Sequence, residues 1–328
     1  MTNEDLSKQS EPLVWVVDSA YTGELHARIG LAERLGFGYQ TIPLPNGDAA
    51  GYQQALKHQY HANGDASPLL IISGTGEETT AEIADLRQVF KERLFNVYLA
   101  SILPEQRHPR LQEYDLIASP QLTGDNIVTL TGVPHQLTQA GLAAAYRQHA
   151  GYFSQLPKPI TALLVGGNTR YCDGFSQDHA RKLAGRVAQI ANTLGGSLMV
   201  TNSRRTPADA LTVMLAELSR FNPQFFDWQQ ADADFYHALL AHADLFIVTG
   251  DSLSMCSEAA FTGKPLLVDL SANATECFHR EIVRRLIDHG AAKLLTGSFE
   301  PWRYTPPDPT GAVVTAIYGR LGQAPALA

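Results

Sequence analysis

Positive charge is scarce in this chain: 25 lysines and arginines stand against 33 aspartates and glutamates, a formal net charge of −8. A general nucleic-acid binder needs a basic face, so that class is excluded. Cysteine is scarcer still. Cys172, Cys256 and Cys277 form no CxxC pair and no zinc-ligand spacing, which predicts reduced thiols. No apolar run approaches the ~18 residues of a membrane span, and Met1-Thr-Asn-Glu-Asp5 has no signal core. No Asp-x-Asp metal motif stands at a strand end. Asp232-Ala-Asp234 has the spacing but precedes a helix and reads as its cap, so neither a metal nor a cofactor is expected. These absences predict a cytoplasmic protein with no transmembrane segment. What is present is apolar: 45% of 328 residues are hydrophobic and 18% charged. That is enough for two buried cores and excludes a disordered chain.

The apolar residues fall in short β-rich runs, each followed by a turn and a helical stretch. Leu13-Val-Trp-Val-Val17 leads through Asp18 and Gly23 into a helix from about 24 to 35 that ends at Gly36. Tyr39 to Pro43, Pro68 to Ile72, Phe95 to Leu99, Leu116 to Ala118 and Asn126 to Leu130 are further strands. Helices are predicted over about 52–62 and 79–91. The turn Ser73-Gly-Thr-Gly-Glu-Glu-Thr-Thr80 carries acids that would repel a phosphate. It reads as a tight corner or a sugar contact. Pro104-Glu-Gln-Arg-His-Pro-Arg110 is a basic loop facing an anionic acceptor, a membrane surface or solvent. After a helix over 138–153 the stiff connector Leu156-Pro-Lys-Pro159 marks a boundary, and Ile160 to Val165 starts the pattern afresh. Later strands are Ser197 to Thr201, Phe225 to Trp228, Leu245 to Thr249 and Leu266 to Val268. The helices of this half cover about 176–194, one beginning near Pro207, 234–243, the run ending at Gly263, and 276–289. Strand–turn–helix units in two series predict an α/β chain of two Rossmann-like, doubly wound domains facing across a cleft. The expected domains are 12–155 on the acceptor side and 156–309 on the donor side. A terminal helix within 310–328 returns to the first.

The second half is organised around Val248-Thr-Gly-Asp-Ser252 and the helix that follows. Asp251 or Ser252 is positioned to accept hydrogen bonds from free helix amides, whose positive end favours an anion. Asp251, Met255 and Glu258 fall at i, i+4 and i+7, so they are expected on one face, the two carboxylates roughly 10 Å apart. Glu258 among small apolar neighbours suits a sugar or ribose hydroxyl pair, or a salt bridge to a neighbouring loop. Two more strand ends are expected in the same crevice: Gly166, Gly167, Asn168 and Arg170, and Ser203, Arg204, Arg205 and Thr206. An arginine pair beside a helix start, where the dipole disfavours cations, matches a diphosphate. Gly250, Ser252 and Ser254 complete this donor set. Candidate bases lie in the first half: Asp18 at a strand end, with Glu24 and His26 at a helix start.

Four motifs arrive in order: Leu164-Val-Gly-Gly-Asn-Thr-Arg170, Val200-Thr-Asn-Ser-Arg-Arg-Thr-Pro207, Ile247-Val-Thr-Gly-Asp-Ser-Leu-Ser-Met-Cys-Ser-Glu-Ala259 with Thr262-Gly-Lys-Pro265, and Glu300-Pro-Trp-Arg-Tyr304. Together they resemble the mitochondrial-fission-factor-like family of proposed glycosyltransferases. The resemblance is dense from about 160 to 320 and thinner from 13 to 150. It implies a GT-B-type architecture with the donor nucleotide in the C-terminal domain. It also implies a ribose contact at Glu258 and a diphosphate near Ser203, Arg204 and Arg205. The family's basic pair in the first-domain turn is replaced here by Glu77-Glu78.

The leading expectation is a metal-independent glycosyltransferase using a nucleotide sugar as donor substrate. Its acceptor is expected to be part of the cell envelope or lipid-linked, at a membrane surface, with the protein itself cytoplasmic or peripheral to the inner membrane. The alternatives are a non-catalytic, fission-factor-like interaction protein that keeps the nucleotide-binding fold, and a nucleotide-sugar epimerase.

Overall fold

The computed structural model describes residues 12–63, 69–230 and 233–322. The polar start at 1–11, Pro68 and Asp232 lie outside the described residues. The chain separates into two compact units, 1–136 with 309–328, and 137–308.

The first unit runs β1 (Leu13–Val17), α1 (Thr22–Leu35), β2 (Tyr39–Ile42), α2 (Ala49–Ala62) and β3 (Leu69–Gly74). It continues through α3 (Thr80–Phe90), β4 (Leu94–Leu99), β5 (Leu116–Ser119) and β6 (Ile127–Thr129). Gly36 ends α1 at φ 74°, a left-handed conformation that glycine adopts without strain. Asp48 caps α2 by accepting from the Gly51 amide at 2.9 Å. All pairings are parallel, in the order β2-β1-β3-β4-β5-β6. Continuous apolar strands require cover on both faces, and two buried clusters supply it. One gathers Trp15, Ile71, Ile83, Leu86 and Phe90; the other gathers Val14, Leu31, Leu70 and Val97. The loop Pro104 to Arg110 is less available than its composition suggests, because Arg110 is bound to Asp85 at 2.8 Å and Glu113 at 2.7 Å.

The second unit begins with α4 (Gln139–Phe153) and β7 (Ile160–Leu164), then α5 (Gln177–Leu194), β8 (Ser197–Thr201), α6 (Ala208–Leu218) and β9 (Gln224–Phe226). It ends with α7 (Ala233–His242), β10 (Leu245–Thr249), α8 (Leu253–Phe261), β11 (Leu266–Asp269), α9 (Cys277–Asp288) and β12 (Ala292–Leu294). The order β12-β11-β10-β7-β8-β9 is again wholly parallel. The final helix, α10 (Pro309–Leu321), belongs with the first unit. Tyr318 Oη donates to Leu35 O at 2.6 Å at the end of α1. Thr310 Oγ1 donates to His135 O at 2.8 Å and accepts from the His135 amide at 2.9 Å.

Three features differ from the sequence reading. The boundary expected at 155 falls after Gln136, because Leu142, Ala145 and Phe153 of α4 share a core with Leu240 and Phe246. Burying a phenylalanine stabilises by about 2 kcal/mol, and that outweighs the proline-rich look of the connector. Helix α8 starts at Leu253, so Asp251 lies outside the helix rather than on a face shared with Glu258. Strand β12 was not foreseen; its exposed Lys293 and Leu294 hide the period.

Candidate functional site

Doubly wound sheets gather ligands where neighbouring strands send their connections to opposite faces. In the second unit that point lies between β7 and β10. Three loops meet there through Asp251, which is 2% exposed. Its Oδ2 accepts from the Gly167 amide at 2.7 Å and from Arg205 Nη2 at 3.0 Å. The Arg205 guanidinium also donates to Gly167 O at 3.2 Å, Asn168 O at 3.1 Å and Asp251 O at 3.2 Å. Ser203 Oγ donates to Gly166 O at 2.9 Å, and Thr206 Oγ1 donates to the same carbonyl. The glycines are needed for this internal closeness. A Cβ on Gly166 would stand 2.1 Å from Asp251 Oδ2, and one on Gly167 2.1 Å from Arg205 O.

The expected donor set therefore divides. Gly166, Gly167, Asn168, Ser203, Arg205, Thr206 and Asp251 are brought together, but they stitch loop to loop. Arg205 is thus not the open diphosphate clamp expected from its position, since carbonyls and a carboxylate already occupy its fork. Ser252 stands at the N-cap of α8, yet its side chain makes no capping bond. The first α8 amide donated back along the chain is that of Cys256, to Ser252 O at 3.0 Å. The amides of Leu253, Ser254 and Met255 precede it and face the helix's positive end. Arg204 and Arg170 are exposed, while Met255 packs against the core. Gly250 is close-packed, since a Cβ there would stand 2.4 Å from Leu270 Cδ2.

Glu258 is half-buried on α8, and its Oε2 accepts from Tyr236 Oη at 2.7 Å. Burial raises the carboxyl pKa, and the tyrosine bond opposes that rise. The sequence reading gave Tyr236 no role. Its partner is 22 residues away, beyond any local pattern. At the carboxyl end of β11, Asp269 accepts from Arg186 at 2.9 Å and lies 3.1 Å from His179 Nε2. Despite the cost of burial, those two partners hold its carboxyl below the usual range.

The first unit has its corresponding switch between β1 and β3, and an ion-pair knot fills it. Arg28 is 1% exposed. It donates to Val17 O at 2.8 Å, Asp18 O at 2.6 Å, Gly74 O at 3.1 Å and Thr75 O at 2.8 Å. It pairs with Glu77 Oε2 at 3.2 Å. The other Glu77 oxygen accepts from Ser19 Oγ at 2.7 Å and the Ala20 amide at 2.8 Å. The acidic turn thus compensates a buried arginine rather than facing a ligand.

Of the three candidate bases, Asp18 Oδ1 accepts from the adjacent Ser19 amide at 2.7 Å. His26 is exposed and, two residues from Glu24, faces another way. Glu24 is half-buried, and Oε2 accepts from Thr75 Oγ1 at 3.1 Å. Burial is the largest influence on it and raises its pKa from 4.5 to about 7, against the lowering effect of Arg28. Folding therefore takes up a proton between those two values. The stabilisation is complete below pH 4.5 and is lost as pH rises through about 7. Glu24→Gln should flatten that part of the stability–pH curve, removing on the order of 3 kcal/mol of variation. Melting temperatures of both proteins from pH 4 to 9 check this, and a parallel curve for the variant refutes the assignment.

No group of three or more metal-ligating side chains occurs among the described residues, and no helix there is long and apolar enough to cross a membrane.

Residues 22–321 match the family described as Mitochondrial fission ELM1. Over 339 residues the chain is 27% identical to mitochondrial fission protein ELM1 of Arabidopsis thaliana, spanning 90% of this chain and 76% of that protein. Among solved structures, UDP-GlcNAc 2-epimerase from Neisseria meningitidis, bound to UDP-GlcNAc, has a TM-score of 0.55 at 11% identity. The match covers 95% of this chain and 92% of that one. A UDP-glucosyltransferase from Polygonum tinctorium gives 0.55 at 11%, covering 87% and 84%. Identities this low establish the fold alone, the two-unit α/β fold of GT-B glycosyltransferases and epimerases.

Proposed function

The chain belongs to the mitochondrial fission ELM1 family, and from that premise we propose that it binds a nucleoside-diphosphate sugar and transfers its glycosyl group. The acceptor we assign is a cell-envelope or lipid-linked molecule at a membrane surface. The observation that carries the reading is helix α8. Its uncapped start lies at the β7/β10 switch point, and the same helix presents Glu258, held by Tyr236 at 2.7 Å. Free amides and the helix dipole suit a diphosphate. A fixed carboxylate one to two turns along suits a ribose hydroxyl pair. Arg204, which is exposed, is the cation assigned to the diphosphate in place of Arg205. The departing diphosphate would be neutralised by these groups without a metal. Glu24, with a pKa about 7, is the carboxyl best matched to act as base near neutral pH.

Thermal unfolding with UDP-, GDP-, CMP- and dTDP-linked sugars tests the reading. A ligand at 100 times its Kd should stabilise by about 2.7 kcal/mol. Arg204→Ala should weaken that ligand about tenfold, as loss of a charged hydrogen bond does. Undiminished binding by the variant refutes the diphosphate assignment. One observation favours a second reading, an interaction protein that retains the fold without the chemistry: the occupied fork of Arg205 leaves one free cation fewer for the diphosphate. Absence of stabilisation by any of these compounds selects it.

A further inference from the structure

The first turn of α9 holds three buried polar atoms that have no hydrogen-bond partner among the described residues. Glu276 is its N-cap residue and is 9% exposed. Burial raises the carboxyl pKa, Arg205 and then the nearby Tyr171 amide oppose that rise, and Oε1 accepts no hydrogen bond. His279 follows three residues later, on the same side of the helix, and its buried Nδ1 is also without a partner. The next residue, Arg280, has a buried Nε in the same condition. A buried acceptor left unpaired costs on the order of 1–3 kcal/mol. Several in one helical turn mark a place built for something else to occupy.

The loop before α9 joins this turn to the stitched loops described above. A Cβ on Gly174 would lie 1.5 Å from Asn273 O, and Cys172 Sγ reaches the same carbonyl at 3.4 Å. Arg205 and Asp251 are close enough to act on Glu276, and Arg205 acts on His279. Burial first, then Arg205, push the imidazole down to about 3, so it is neutral.

Three ligand classes can be weighed. A phosphate would meet the Glu276 and Asp251 carboxylates, and Arg205 is already bound to one of them. A metal cation would meet Arg205, and no three-donor set exists among the described residues. Arg205 is committed to Asp251, so neither sign of ion is favoured. What remains is a donor for Oε1, an acceptor for Nε and either for Nδ1. Hydroxyl groups, which both donate and accept, meet all three needs.

We propose that Glu276 and His279 form a binding subsite for a neutral polyhydroxylated group, the sugar of the nucleoside-diphosphate sugar. This rests on the function proposed above and names two residues of its sugar contact.

The test compares each parent nucleotide with its conjugate by calorimetry: UDP with UDP-GlcNAc and UDP-glucose, GDP with GDP-mannose, and dTDP with dTDP-glucose. The wild type should bind one conjugate at least tenfold more tightly than its parent. Glu276→Gln and, separately, His279→Gln should keep the parent's affinity within about twofold and lose five- to tenfold of the conjugate's advantage. Both replacements nearly preserve volume, and melting curves confirm folding. If the parents bind and the conjugate-to-parent ratio is unchanged in both variants, the subsite is wrong and the nucleotide reading stands. If the wild type binds none of the nucleotides, the nucleotide reading falls and the sugar contact with it.

Discussion

Arg28→Ala is expected to destabilise the first unit by about 3–5 kcal/mol, the loss that follows when one member of a buried ion pair is removed. The side chain is almost wholly enclosed, and its fork closes on four carbonyls at the ends of β1 and β3. Alanine would leave those carbonyls without this donor. It would also leave Glu77, whose other oxygen holds Ser19 and Ala20, with no opposing charge. Arg28→Lys should recover only part of the loss, because an ammonium cannot reproduce a planar fork with two donating ends. Glu77→Gln should cost less than Arg28→Ala, since a neutral amide still fits the turn and the arginine keeps its carbonyls. Denaturant unfolding measures all three. An Arg28→Ala protein within 1 kcal/mol of wild type would show that the knot contributes nothing.

The second large effect centres on Asp251. Asp251→Ala removes the acceptor shared by the Gly167 amide and Arg205, leaving a cation half-buried among carbonyls, and should again cost about 3–5 kcal/mol. It should also abolish the stabilisation by a nucleotide sugar proposed above, because the loops on either side of the switch point lose their common anchor. Gly166→Ala attacks the same place from the other side: its new Cβ would stand 2.1 Å from Asp251 Oδ2, a separation no real contact tolerates. The pair should therefore be strongly non-additive. With Asp251 already reduced to alanine, Gly166→Ala should cost at least 1 kcal/mol less than in the wild-type background, the range expected for residues in contact. Additive losses would mean that the glycine is required for some other reason.

The element pattern was legible because wholly buried parallel strands are short apolar runs and helices have readable stops. Gly36 and Gly263 end α1 and α8 with φ of 74° and 76°, where the sequence put them. Strand β12 escaped because two of its three residues are exposed. The place of α4 escaped because a helix declares an apolar face without declaring which core receives it.

The convergence of the strand-end loops was legible in the sequence; the hydrogen bonding within it was not. Gly166, Gly167, Arg205 and Asp251 do converge, as strand ends of a doubly wound sheet must. Local sequence could not show that their hydrogen bonds are spent on one another. Composition and periodicity by themselves determined the class of this protein: two parallel α/β series, with loop residues gathered at strand carboxyl ends. The tertiary structure alone decided which arginine is tied and which is exposed, that Glu77 answers Arg28 at 49 residues' separation, and that Glu258 is held by Tyr236. Hydrogen bonds and ion pairs depend on distances of about 3 Å between side chains far apart in the chain, and packing alone sets those distances.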